Sequence, residues 1–292
     1  MKSLLLTTAA LLLIGAAPPK RLTPTDVVNA APASAWKAIP AEDLLVMDLK
    51  SGGRVVLQLA PQFAPVHVAN IRALARGNYW DGATIYRVQD AYVAQWGLND
   101  SDKGFPAGVT AKPPAEYTRA LKGLSVKPLG YADPYAPGAG FVNGWPVAYS
   151  PKGGWANLAH CYGSVGVGRN LSPDTGTGGE LYATFTPLRH LDRNIAVVGR
   201  VIDGMANLSA LPRGTEALGF YKDKSMYAPI ASIRLASDMP AGERPAFEYL
   251  DTMSASFARY LKIRANRHDD FYVRPAGGVD LCNVSPPVRK KG

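Results

Sequence analysis

Glycine and proline punctuate this chain from end to end, with 29 of the first and 24 of the second among 292 residues. Both interrupt regular structure, glycine by its backbone freedom and proline by its missing N–H, so the chain favours short strands joined by many turns over long helices. With 47% hydrophobic residues it can bury a substantial core, in one domain of about 200 residues plus extensions or in two. A mainly β class follows.

Residues 1–17 begin with Met1-Lys2, continue through an apolar stretch from Ser3 to Gly15 and end on Ala16-Ala17 before a proline pair. A charged start, short apolar core and small-residue end predict a secretory leader, cut after Ala16 because Pro18 disfavours cutting after Ala17. The chain is therefore expected to be periplasmic or secreted, without stable membrane insertion after processing. An uncleaved leader acting as a membrane tether is the alternative. The two cysteines, Cys161 and Cys282, are a disulfide candidate in an exported protein, two independently buried thiols being the other reading.

A net charge of +9 raises the question of nucleic acid. The basic clusters are small and scattered, at Lys20-Arg21, Arg264 to Arg267 and Arg289 to Lys291, and export argues against such a partner, so none is expected. His67, His160, His190 and His268 are isolated and no Cys-x-x-Cys occurs, so neither a metal nor an organic cofactor is expected. Gly163 to Gly168 carries the glycine spacing of a dinucleotide loop but lacks a βαβ unit and an acidic partner downstream. It reads as a tight turn or a kink in a barrel strand.

Along the chain, the Ala/Pro-rich residues 18–41 read as a linker. Leu44 to Leu49 and Arg54 to Leu59 flank Ser51-Gly52-Gly53 in a hairpin pattern. Pro65 then starts a helix whose apolar stripe, Val68, Ile71, Leu74 and Ala75, stops at Gly77. Residues 98–159 show no clean period and read as a long ordered insertion. Strand signals resume at Gly163 to Gly168, Leu181 to Thr186 and Ile195 to Val201, with a short helix at Met205 to Leu211. The body thus spans 42–214, and 215–292 forms a C-terminal extension. A strand candidate lies at Ile230 to Ala236, and Phe247, Leu250, Met253, Phe257 and Leu261 at helical spacing place a helix near 247–267.

One segment carries chemistry. In Ile85 to Gly97, Arg87 stands among alternating apolar and aromatic residues and Gln95 follows eight positions later. Period-2 alternation reads as strand, and Arg87, Tyr92 and Gln95 can converge whether or not a turn at Gln89-Asp90-Ala91 resets the register. An arginine kept beside apolar side chains needs acceptors for its five donors. That suggests a site, while an edge-strand arginine reaching for water is the bland alternative.

Tyr86-Arg87, Tyr92-Val93, Gln95 and Gly97, followed in order by Gly179-Glu180-Leu181-Tyr182 and Leu191-Asp192 before Gly199, resemble the cyclophilin family of peptidyl-prolyl cis-trans isomerases over about residues 42–212. The resemblance implies a closed eight-stranded antiparallel barrel capped by two helices, with its active groove on the outer face. It implies that Arg87 is catalytic and that Tyr92, Val93, Gln95, Glu180, Leu181, Tyr182, Leu191 and Ile195 bind the proline-containing polypeptide substrate. Three positions depart from the family pattern: Glu180 stands for a usual glutamine, His190 for a frequent tryptophan and Ile195 for a usual histidine. The expected function is isomerisation of X-Pro bonds in exported or envelope proteins. The alternative is a catalytically weak binding or chaperone module on the same barrel.

Overall fold

A computed structural model describes residues 21–98 and 103–291. The expected leader, 1–17, and the first residues of the expected linker lie outside them.

The hairpin strands β1 (Leu44–Leu49) and β2 (Arg54–Leu59) pair from Leu44 opposite Gln58 to Asp48 opposite Arg54. Gly52, at φ 93°, makes the turn. A second hairpin joins β3 (Thr84–Val88) to β4 (Val93–Gly97). The remaining strands, β5 (Ser164–Val167), β6 (Leu181–Thr184), β7 (Val197–Asp203) and β8 (Ala228–Leu235), complete a closed barrel in the order β5-β6-β4-β3-β8-β1-β2-β7. Antiparallel pairing of β7 with β5 seals it, so no edge strand is left exposed. The register slips between Val165 and Gly166, making the glycine-rich run a kinked barrel strand.

Inward-facing Leu45, Met47, Leu57, Ile85, Trp96, Leu181 and Val198 fill the barrel. Two helices pack on this core, α2 (Pro65–Arg76) through Val68, Ile71 and Leu74, and α3 (Met205–Ser209) through Leu208. The sequence boundary at 214 falls too early, because β8 pairs with both β1 and β3 and closes the barrel. The shift in composition after 215 marks the loop before β8 rather than the end of the body.

The insertion folds into a five-stranded sheet containing Gly138–Val142, Trp145–Ser150 and Trp155–Leu158. It lacks a polar–apolar period because both of its faces are covered. Val142, Trp145 and Val147 meet Phe63 and Val197 of the barrel body, whereas Ala139 and Phe141 join a cluster built by the chain ends.

Residues 18–41 are not a linker in their described part. Pro24–Asn29 is a helix, α1, whose cap residue Thr23 exchanges hydrogen bonds with Asp26. Trp36–Ala38 is a strand paired to Phe247–Leu250, which pairs in turn with Val288–Lys290. The composition suggested a linker, but Val27, Trp36 and Ile39 are buried. The expected helix near 247–267 is likewise corrected to a strand followed by α4 (Ala255–Ala265), capped by Ser254. Its first apolar residues fit a helical spacing by coincidence, and Met253 is 55% exposed. Val27, Trp36, Phe257 and Leu261 form the core of this terminal module together with Phe141 of the insertion.

Cys161 and Cys282 are bonded, tying the residues just before β5 to the terminal module across 121 positions. Closing a loop of that length restricts the unfolded chain. Cys282→Ser is expected to lower stability by about 2–4 kcal/mol in denaturant titration. Thiol labelling of the unreduced, unfolded wild type should find none free, and two titratable thiols would contradict the bridge.

Candidate active-site groove

Alternation broken by one bulge sorts the residues of the β3–β4 hairpin. Ile85 opposite Trp96 points inward, while Arg87 opposite Gln95 points out, with a register shift between these pairs. That bulge leaves Tyr86 unpaired beside Arg87 and turns it toward the same outer groove. On β6, Tyr182 lies opposite Gln95 and faces outward, and Leu181 lies opposite Trp96.

The outer face of β4 and β6 forms the floor of a groove of about 770 Å³. Arg87, Tyr92, Val93, Gln95, Glu180, Tyr182, Leu191 and Ile195 all line it. Leu181 does not: it is fully buried in the barrel core, because one step along a strand reverses the face. Its expected role in substrate binding is therefore withdrawn.

The groove has an apolar and a polar half. Val93, Tyr182 and Leu188 form a buried cluster against which Tyr92, Leu191 and Ile195 pack. His190 stacks on Tyr92 at 6.3 Å between ring centroids. Beside this patch the Arg87 guanidinium is fixed from three sides, donating from Nε to Leu218 O at 2.7 Å, from Nη1 to Gln95 Oε1 at 2.9 Å and from Nη2 to Gln89 Oε1 at 2.7 Å. It lies over the rings of Tyr92 and Phe220 at 5.7 and 5.3 Å. All three acceptors are neutral, and among the described residues no carboxylate pairs with it. Burial pulls its pKa below the ordinary arginine value, yet a guanidinium stays protonated at neutral pH. Two of its five N–H groups remain for a ligand.

A carboxylate orients the glutamine instead. Glu180 Oε2 accepts from Tyr86 Oη at 2.8 Å and from Gln95 Nε2 at 3.2 Å, and Gln95 Nε2 also donates to Tyr86 Oη at 2.8 Å. With its amide nitrogen so engaged, Gln95 presents its oxygen to Arg87. Burial and the neighbouring Glu180 charge raise the Tyr86 pKa, so its hydroxyl keeps the proton it donates.

Behind the apolar patch runs a second chain. Tyr182 Oη meets His160 Nε2 at 3.2 Å, and His160 Nδ1 meets Asp192 Oδ1 at 3.0 Å. Arg189 donates from Nε to Asp192 Oδ2 at 2.6 Å and from Nη2 to Asp133 Oδ2, on the insertion, at 2.9 Å. Burial acts to raise the Asp192 pKa, but the hydrogen bonds from His160 and the Arg189 charge outweigh it and hold the carboxyl below its usual range. Gly166 lies against Tyr182, where any Cβ would collide with the ring and its hydroxyl.

Tyr86, Gln89, His160, Leu188, Leu218 and Phe220 were not expected in the site. Tyr86 escaped because strict alternation puts it on the opposite face from Arg87. His160 looked isolated because its partners lie 22 and 32 positions away. Leu218 comes from 131 positions beyond Arg87, with no local signal. Among the described residues no group of three or more His, Cys, Asp or Glu could hold a metal ion.

The family model for cyclophilin type peptidyl-prolyl cis-trans isomerase/CLD matches residues 44–234. A probable peptidyl-prolyl cis-trans isomerase from Brucella suis is 27% identical over 183 residues, covering 62% of this chain and 76% of that protein. A Brucella abortus protein of the same description is 26% identical over the same length and coverage. The crystal structure of the cyclophilin AquaCyp293 from Hirschia baltica superposes with a TM-score of 0.69 at 22% identity, covering 92% of this chain and 97% of that one.

Asp192 supplies a stability test. Its lowered folded-state pKa contributes stability that is present above the unfolded value of about 3.9 and is lost as pH falls through the folded value. Asp192→Asn is expected to cost about 2–3 kcal/mol at neutral pH, the scale of lost charge-assisted hydrogen bonds. Denaturant titrations at stepped pH should show the gap to wild type closing as pH drops below about 3.9.

Proposed function

The chain belongs to the cyclophilin-type peptidyl-prolyl cis-trans isomerase family, and we propose that it accelerates rotation about X-Pro bonds in exported or envelope polypeptides. Rotation of a peptide bond is opposed by about 18–20 kcal/mol of amide resonance. Unaided X-Pro bonds take tens to hundreds of seconds to turn over. At the midpoint the nitrogen has lost conjugation and become pyramidal, exposing a lone pair that either planar isomer lacks. A donor aimed at that lone pair stabilises the twisted amide selectively, which is the condition for catalysis.

Arg87 fits the donor role. The observation that carries the proposal is its guanidinium, fixed by three neutral acceptors beside an apolar patch, with two N–H groups to spare. Tyr92, Val93, Tyr182, Leu191 and Ile195 take the pyrrolidine ring, and Gln95 orients the arginine and meets the flanking backbone. No ordering of the guanidinium is needed at the moment of rotation, because its acceptors already hold it.

The leader pattern of residues 1–17 and the Cys161–Cys282 bond support an oxidising compartment outside the cytoplasm. Ile195 favours the second reading, a module that binds proline-containing or unfolded segments with little turnover, since it keeps an apolar wall without a polar edge.

Isomerisation of a short Ala-Pro peptide separates the readings. Wild type should accelerate it, and Arg87→Ala should lose about 10²–10³-fold of that acceleration, the scale of removing one aimed donor. Circular dichroism should stay unchanged. A folded wild type without acceleration would favour the binding module, and an unimpaired Arg87→Ala would refute the role given to Arg87.

A further inference from the structure

A second cleft, of about 540 Å³, opens where barrel, insertion sheet and terminal module meet, and it shares no lining residue with the groove. Its walls are largely apolar, built by Val28 of α1, Trp145 and Leu158 of the insertion, Val197 and Val201 of β7, and Pro286 near the C-terminus. Two arginines, Arg200 and Arg264, line it, and no aspartate, glutamate or histidine does.

Arg200 is held by more partners than Arg264. From β7 it donates through Nε and Nη2 to Gln58 Oε1 at 3.0 and 2.9 Å and through Nη1 to Gly144 O at 2.9 Å, and its guanidinium stacks on Trp145 at 4.7 Å. Every one of these partners is neutral. Arg189, Arg234 and Arg289 each meet a carboxylate, whereas among the described residues Arg200 meets none. Its side chain is half-buried, and the loss of solvation presses its pKa down to about 10, so it is still charged at neutral pH. A partly shielded cation without a counter-charge favours an anion beside it.

The hydrogen bonds also leave donors for an anion. With Nε, one N–H of Nη1 and one of Nη2 in use, the remaining two donors lie one on each terminal nitrogen. Those donors are free to meet the oxygens of a carboxylate, the anion that arginine favours. Arg264, held by Asn283 O, adds a second positive charge to the lining. A volume of this size suits a small organic ligand, and apolar walls with a few convergent polar groups are the usual make-up of such sites.

We propose that this cleft binds a small amphipathic monocarboxylate, its carboxylate on Arg200 and its apolar body against Trp145, Val197, Val201 and Pro286. The site is separate from the groove and independent of the isomerase reading.

Calorimetric titration of the full chain with octanoate and with octanamide tests it. Octanoate should bind with saturable heat and octanamide at least tenfold more weakly, since the two differ in charge and hardly in size. Arg200→Gln, checked for folding by circular dichroism, should lose the preference for acid over amide. Arg87→Ala should bind octanoate as wild type does. Absence of octanoate binding to folded wild type, equal binding of acid and amide, retention of the preference in Arg200→Gln, or loss of binding in Arg87→Ala would each overturn the proposal. The first two outcomes need no variant, so a misfolded Arg200→Gln does not rescue it.

Discussion

Apolar side chains on both faces of the first barrel hairpin govern the rest of this architecture. Leu45, Met47 and Leu57 fill the barrel, but Leu44, Val46 and Val56 point outward and are equally buried. A barrel with such an exterior requires cover. The chain ends supply it through Ile39 and Phe247, and the insertion covers another sector through Val142, Trp145 and Val147. Thus three segments remote in sequence fold onto one surface, and the bond between Cys161 and Cys282 joins barrel and cover covalently. The second cleft follows from the same arrangement, as the space where these three bodies meet around Arg200.

The insertion reaches the groove directly through Phe105 on its lining and indirectly through the Asp133–Arg189–Asp192–His160 chain that reaches Tyr182. Inside the groove, the decisive feature is division of labour between charges. Glu180 spends its negative charge on Tyr86 and Gln95 instead of on Arg87. The guanidinium is consequently immobile, positively charged and unneutralised by any protein carboxylate among the described residues. An ion pair there would hold it equally well but would compete with the substrate nitrogen for its donors.

Local pattern carried much of this into the sequence. The hairpin at Ser51 to Gly53, the helix from Pro65 to Gly77 and the convergence of Arg87 with Gln95 follow from turn chemistry and local pattern, whereas the bulge that sends Arg87 outward while Ile85 stays inside does not. Leu181 was misplaced because a motif carries neighbours along together, whereas a strand sends alternate residues to opposite faces. Tyr86 was missed for the converse reason, since a bulge suspends that alternation. The segment at 18–41 read as a linker because its composition is poor in large residues, yet Val27, Trp36 and Ile39 are buried partly by residues more than two hundred positions away, Phe257 in one cluster and Phe247 in the other. Long-range pairing of that kind, including β8 with β1, leaves no local trace.

The central claim is that this groove turns prolyl bonds over and does not merely hold them. Exchange spectroscopy on an isotopically labelled Ala-Pro peptide, with the protein far below stoichiometric amount, tests it most directly. The account predicts cross-peaks linking the cis and trans proline signals on a sub-second timescale, where the free peptide shows none. Binding shifts in both isomers without such cross-peaks would contradict it.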